Sequence, residues 1–395
     1  MMFGLPTLRG QSRLCLLWGG LAWCVSGAAA FGQVLQVINP TDAAQVDAPL
    51  WFATAYSLDA NSFASTKGVD HLLGDQVYLG DIQYAPRSGK NFAIREANYT
   101  LGYQIPGWRF SVFQKQSLWL DIEEKTLDLL YANMANRNLY LASALPIDAQ
   151  FVGYQTRGIN LEKAFVFPVL GDQTLTLGVG ANFFVGTDLR MSRAQGVAQQ
   201  TSTGFLYSVN TNDSFSGATY PYIRQATVSA QGYSLDWGLR YRINANHTLA
   251  LAVNDDFSSV TWRNMPNSQL SVSNKKASKD EYGFTQPSLT GVNDVNRRTI
   301  AQALEPKYQV SWVYQADQSA LSAYGQWTHQ QMMAGINYGW CITGAHWLEL
   351  GWEQTFKALS LAYKGPHFKL KFQTQQPFVD QTSISQMSVA AFLDF

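Results

Sequence analysis

The chain has 395 residues, and its 28 Lys and Arg balance 28 Asp and Glu to a net charge of zero. No basic excess is present to hold a nucleic acid or an anionic membrane surface. Apolar residues reach 46% and aromatics 13%, yet mean hydropathy is −0.13, so the apolar residues are plentiful but diluted by polar ones.

At the N-terminus, Arg9 and Arg13 precede the apolar run Leu14–Val25, and Ala28 and Ala30 follow in an A-x-A pattern. That is the plan of a secretory signal peptide covering residues 1–30, with cleavage expected after Ala30. The run is too short to cross a bilayer as a helix. Trp23 stands where a lipoprotein would need a small residue before Cys24. Cleavage would remove Cys15 and Cys24 and leave Cys341 without an intramolecular disulfide partner. The longest later apolar run is Ala164–Leu170, so the sequence predicts no transmembrane helix.

Beyond the signal peptide, apolar and polar residues alternate in run after run, the period of a strand with one greasy and one wet face. Residues 48–57, "APLWFATAYS", alternate weakly, and residues 31–75 read as an N-terminal segment inside or below the sheet built by the later strands. Those strands are expected at 76–86, 91–104, 108–120, 159–169, 174–190, 224–243, 248–263, 300–315, 320–329, 332–340, 345–356, 358–364, 367–373 and 384–395. Short turn signals join alternate ends: "IPG" at Ile105, "LGDQ" at Leu170, "NANH" at Asn244, "ADQS" at Ala316, "CITG" at Cys341 and "KGPH" at Lys364. Longer polar connections are expected at 121–158, 192–224 and 264–298. Short turns at one end and long loops at the other predict an all-β fold: a closed antiparallel transmembrane β-barrel over 76–395, of about 14 strands in a range of about 12–16.

The stretch "YSLDWGLRYRI", Tyr233–Ile243, shows the two faces most clearly. Tyr233, Leu235, Trp237, Leu239 and Tyr241 share one face, which the barrel reading turns to lipid, with Tyr233, Trp237 and Tyr241 among the aromatic girdle residues. Trp312 and Trp352 take girdle positions on their own strands. The alternate residues Asp236, Arg240 and Arg242 are expected to line the lumen, as are Asp256, Glu349, Glu353, Lys364, Lys369 and Lys371. Acidic and basic walls facing one another would resemble the transverse field of a diffusion porin; paired with one another, the same charges would plug the barrel. Ser234, on the lumen face, is expected to be solvated there.

The last strand ends on Phe395, and Leu393, Ala391, Val389 and Met387 precede it by twos. A terminal Phe on an alternating strand resembles the insertion signal of Gram-negative outer-membrane proteins. The resemblance implies outer-membrane lipid as surroundings, and the barrel-assembly machinery as a partner that engages this strand by adding it to a sheet edge. The architecture as a whole is similar to the 14-stranded hydrophobic-solute transporters of the FadL type and to related barrels of conjugation proteins. That similarity implies a hatch from residues 31–75. "INPTDAA", Ile38–Ala44, matches only the Asn-Pro of the stretch that family shows near its mature N-terminus.

No His of the chain stands in a metal-ligand spacing, and no cofactor or metal is implied. The nearest approach to a nucleophile and base is His329 beside Ser322 and Thr328, without a motif, so the chain reads as a non-enzyme. Two functions remain: a channel for small solutes, or a non-conducting structural or assembly barrel of an envelope machine. The segment Thr126–Ile147 would fold outside as a binding element, which suits the latter, or into the pore as a constriction.

Overall fold

The computed structural model describes residues 39–45, 50–62, 90–134, 144–201, 204–220, 226–279, 285–328, 331–344, 346–375 and 383–394. The expected signal peptide, the expected strand 76–86, His329 and Phe395 lie outside these residues. A 3₁₀ turn, Pro40–Gln45, precedes the sheet. The first five strands are β1 (Leu50–Asn61), β2 (Lys90–Ile105), β3 (Trp108–Glu123), β4 (Leu145–Pro168) and β5 (Thr174–Thr201). Then come β6 (Gly204–Phe215), β7 (Ser229–Arg242), β8 (His247–Lys279), β9 (Thr285–Gln302), β10 (Lys307–Gln315) and β11 (Ser319–Thr328). The last five are β12 (Gln331–Thr343), β13 (His346–Glu353), β14 (Ala358–Lys364), β15 (Phe368–Gln375) and β16 (Ser383–Asp394). One helix, α1 (Glu124–Met134), follows β3.

Partner by partner, the wall closes on itself. The circuit is β1–β2–β3–β4–β5–β7–β8–β10–β11–β12–β13–β14–β15–β16 and back to β1, fourteen strands joined by antiparallel pairings. The closing seam sets Trp51 opposite Leu393 and Ala55 opposite Val389. Residues 50–57 are therefore wall strand and do not belong to the N-terminal segment expected inside or below the barrel. Weak alternation hid this, because a seam strand is specified by two partners from opposite ends of the chain.

The remaining strands form an upper storey. β6 inserts between the far ends of β5 and β8, and β9 pairs with the far end of β8. The polar connections expected at 192–224 and 264–298 are thus largely strand, while the one at 121–158 holds α1 and the first part of β4. Their ladders satisfy the backbone above the membrane, where an apolar outer face is not required and the period-2 apolar signal fades. The expected strand 224–243 begins only at Ser229, and the expected strand 300–315 is interrupted between β9 and β10.

All six short turns fall where the sequence places them. Gly107, Gly171 and Gly344 adopt positive φ in three of them (76°, 58° and 45°), a conformation open to residues without a Cβ. On the outer wall above these turns, Leu101, Phe110, Leu161, Val179, Leu235, Val310, Leu350 and Leu361 are all exposed. In water that surface would be a continuous apolar patch; in a bilayer it is the lipid face. Aromatic residues rim it. Trp312 stacks on His247 near the turn end, and Tyr308 stacks on Trp327 (ring centroids 5.4 Å apart) near the other. The chain is a membrane-spanning β-barrel.

Candidate functional site

The lumen is layered, and β2 shows the order. From the turn end its inward side chains are Gln104, Thr100, Asn98, Glu96, Ile94 and Phe92. The floor is the 3₁₀ turn. Gln104 Nε2 donates to Asp42 O (2.9 Å), and Gly107 N donates to Ala43 O (2.9 Å). Arg240 pairs with Asp42. Two glycines make room: a Cβ at Gly178 would lie 2.4 Å from the Pro40 backbone, and one at Gly238 would lie 2.1 Å from Asn39 Oδ1. Beside the turn, Arg109 pairs with Glu162.

Above the floor is a chamber of ≈ 70 Å³. Its walls carry Thr100, Asn98, Ser111, Asn160, Asn182, Ser234, Asp236 and Asp255, with Phe113, Phe184 and Leu304 as the apolar part. Two ion pairs bridge the lumen at this level. Lys115 of β3 pairs with Asp255 of β8, and Lys307 of β10 donates to Glu96 of β2 (2.7 Å). In the circuit, β2 and β10 lie on opposite walls. A chain of hydrogen bonds joins the rest: Asn160 Nδ2 donates to Asn182 Oδ1 (2.8 Å), and Asn182 Nδ2 donates to Asp236 Oδ2 (2.7 Å). Ser234 Oγ donates to Asp255 Oδ1 (3.0 Å), and Asp255 N donates to Asp236 Oδ1 (2.8 Å).

The ceiling is apolar. Phe92 stacks on Trp119 (5.5 Å between centroids, 1° between planes) and meets Phe356 edge-on at 6.0 Å. Tyr56, Leu58, Ile94 and Met333 complete this cluster. Over the opposite wall, Trp262, Phe184, Leu189 and Met265 pack together. Trp262 satisfies its indole N–H on Gln302 Oε1 (3.0 Å). At about 25 cal/mol per Å² of apolar area removed from water, such aromatic contacts hold the ceiling shut without any covalent link. Outside it, Glu123 caps α1 by accepting from the N–H groups of Lys125 and Thr126 (2.7 and 3.2 Å). Buried Leu127 fixes that helix, and Thr126 Oγ1 accepts from Asp148 N at the start of β4 (2.8 Å).

Of the residues predicted for the lumen, Asp236, Arg240, Glu349, Glu353, Lys364 and Lys371 are buried on the inner face, and Lys369 is half-buried there. Glu349 interacts with Lys364, Lys369 and Lys371 together. Acid and base therefore interleave on neighbouring strands and do not form opposed walls. Glu353 accepts from the N–H groups of Thr355 and Phe356 (2.8 and 2.7 Å), so it fastens the β13–β14 connection. Arg242 lies at the turn rim, where its Nε donates to Asn244 O. Asp256 points outward and accepts from Trp237 Nε1 (2.9 Å). The cause is a bulge: Asp255 and Phe257 have positive φ (59° and 45°), and the β7–β8 register shifts beside Leu235. Asp255 takes the inward place that parity gave to Asp256. Ser234 is wholly buried and not solvated.

On the outer face, Tyr233 and Trp237 are exposed (50% and 37%), and Tyr241, Trp312 and Trp352 are half-buried. Tyr241 OH hydrogen-bonds Gln173 Oε1 (2.8 Å) at the turn end. Leu393 sits in the β16–β1 seam. Ser322, the candidate nucleophile, accepts from Asn337 Nδ2 inside the lumen (3.0 Å). The sequence reading did not single out Glu96, Lys115, Lys307, Arg109, Glu162 or Asp255. Strand parity carried a signal for Lys115, Glu96 and Lys307, which alternate with Phe110–Val112, Tyr99–Leu101 and Tyr308–Val310, but not for Asp255, which a bulge turns inward.

No protein-family model and no curated protein matches the chain. Solved structures similar to it include a mutant of the TodX monoaromatic hydrocarbon channel (10% identity over 90% of this chain and 92% of that one, TM-score 0.45). A Pseudomonas aeruginosa FadL homologue is similar at 11% identity (95% and 98% covered, TM-score 0.44), and the Pseudomonas putida toluene transporter TodX at 10% (90% and 91%, TM-score 0.40). These are of the FadL type that the sequence resembles.

Proposed function

We propose that this barrel is an outer-membrane channel for small solutes, held closed by its own N-terminal segment. The observation that supports it is the seat of the 3₁₀ turn. Residues 39–45 enter the lumen, contact β3, β4, β5 and β7, and occupy space that Gly178 and Gly238 leave free. A lumen that only needed filling could use large side chains from its own wall. A detachable segment held by hydrogen bonds and one ion pair can leave.

The chamber has mixed polar and apolar walls and is closed below by the turn and above by the Phe92–Trp119–Phe356 layer. Its size suits small solutes. A non-conducting structural barrel is the second reading, supported by the two ion pairs that brace opposite walls. Conductance in planar bilayers decides between them. The deletion must remove residues 31–45 only, because residues 50–61 are wall. The channel reading expects low conductance from the intact chain and a large increase when the deletion is combined with Trp119→Ala, which opens the ceiling. Unchanged conductance from that combined variant, once assembled, refutes it.

A further inference from the structure

We propose that the lumen chamber is a binding site for a singly charged cation, an alkali metal ion or a primary ammonium group, held by the carboxylate of Asp236. The inference rests on the channel reading only for its role in transport, not for the site itself.

Four ion pairs brace the floor and chamber: Arg109 with Glu162, Arg240 with Asp42, Lys115 with Asp255 and Lys307 with Glu96. Asp236 remains. It is 5% exposed and lines the chamber, and among the described residues it forms no ion pair. Its hydrogen bonds come from neutral donors, the Asn182 amide and the Asp255 backbone N–H, which orient the carboxylate without cancelling its charge. Each oxygen accepts one bond and keeps further acceptor capacity. The nearest carboxylates, on Asp255 and Glu162, repel it and do not stabilise it. A buried carboxylate in such a place needs either a cation or a proton.

The surroundings select the kind of cation. Ser111, Asn160, Ser234 and Asn254 offer oxygen atoms beside the apolar Phe113, Phe184 and Leu304, and the ammonium groups of Lys115 and Lys307 on the same walls are engaged by Asp255 and Glu96; the oxygens suit a hard cation. One unneutralised carboxylate matches a single positive charge. A calcium-like ion would call for about 6–8 oxygen ligands with several carboxylates among them. A space of ≈ 70 Å³ admits a potassium ion with water, or a methylammonium ion, but not tetraethylammonium.

The test uses the full-length mature chain in detergent. Its thermal unfolding midpoint is compared at equal ionic strength in potassium, sodium, methylammonium and tetraethylammonium chloride. The small cations are expected to raise the midpoint by about 2 °C or more over tetraethylammonium. Asp236→Asn is expected to abolish the difference. A larger effect of methylammonium than of potassium assigns an ammonium-bearing solute; the reverse assigns an alkali ion. Equal midpoints in all four salts overturn the proposal and leave Asp236 protonated. A cation effect that persists in Asp236→Asn also overturns it. If that variant fails to assemble, the wild-type comparison of potassium with tetraethylammonium decides alone. In bilayers under a potassium chloride gradient, the conducting form is expected to favour potassium over chloride, and Asp236→Asn to lose that preference. A cation-dependent midpoint in a barrel that never conducts keeps the site and refutes the channel.

Discussion

The ion pair between Glu96 and Lys307 distinguishes a packed lumen from a water-filled one by magnitude. Both side chains are 7% exposed, and Nζ lies 2.7 Å from Oε2. In an open, hydrated pore such a pair contributes about 0–1 kcal/mol, and removing either partner changes little. In the packed lumen, Lys307→Met strands a buried carboxylate and should cost about 3–5 kcal/mol. Glu96→Gln strands a buried ammonium and should cost a similar amount. The double variant removes both charges and should recover most of the loss, because a buried pair replaced by neutral groups is often close to neutral in stability. The measurement is a double-mutant cycle on urea unfolding of the barrel in detergent, followed by tryptophan fluorescence and by the heat-dependent gel shift expected of a closed barrel. A coupling energy of about 2 kcal/mol or more is expected. Additive effects below about 1 kcal/mol would show that water reaches both groups, and the packed chamber would then be wrong.

Trp119→Ala should open the ceiling, cost about 3–5 kcal/mol in unfolding and raise conductance in the variant lacking residues 31–45; a ceiling that still blocks current would move the gate elsewhere. Gly178→Val should displace the 3₁₀ turn, since even a Cβ there lies 2.4 Å from Thr41 N, and so raise single-channel conductance in the Trp119→Ala background, where the ceiling is open. No change in current would separate the turn from gating. Leu239→Arg on the lipid face should cost about 2–4 kcal/mol or block assembly. Cysteines placed at Leu235 and Leu350, in a Cys341→Ser background, should react with a membrane-restricted reagent while one at Glu349 should not. Equal labelling of the two faces would invert the assignment.

Alternation alone set the face of Tyr233, Leu235 and Trp237, because a strand has only two faces and a slip of one residue would bury every wrong side chain. The turn signals at Ile105, Leu170 and Lys364 were equally local, since a tight turn needs its own residues to reverse the chain. The even strand number was legible, but its first member was not. β1 is defined by pairing with β16, so residue 50 meets residue 394, and nothing near residue 50 encodes that. Asp256 shows the limit of parity: one bulge at Asp255 exchanged an inward for an outward carboxylate. The ion pairs were out of reach for the same reason as the seam. Glu96 and Lys307 are 211 residues apart, and only closure of the barrel brings β2 to face β10. Gly178 and Gly238 leave room in the lumen, and what fills that room, the turn at Pro40, was settled by packing. Sequence patterns thus determined what each strand could face, and the closed circuit decided what it met, because local periodicity fixes a side chain's direction but a partner across a lumen is fixed only by the ring that holds both.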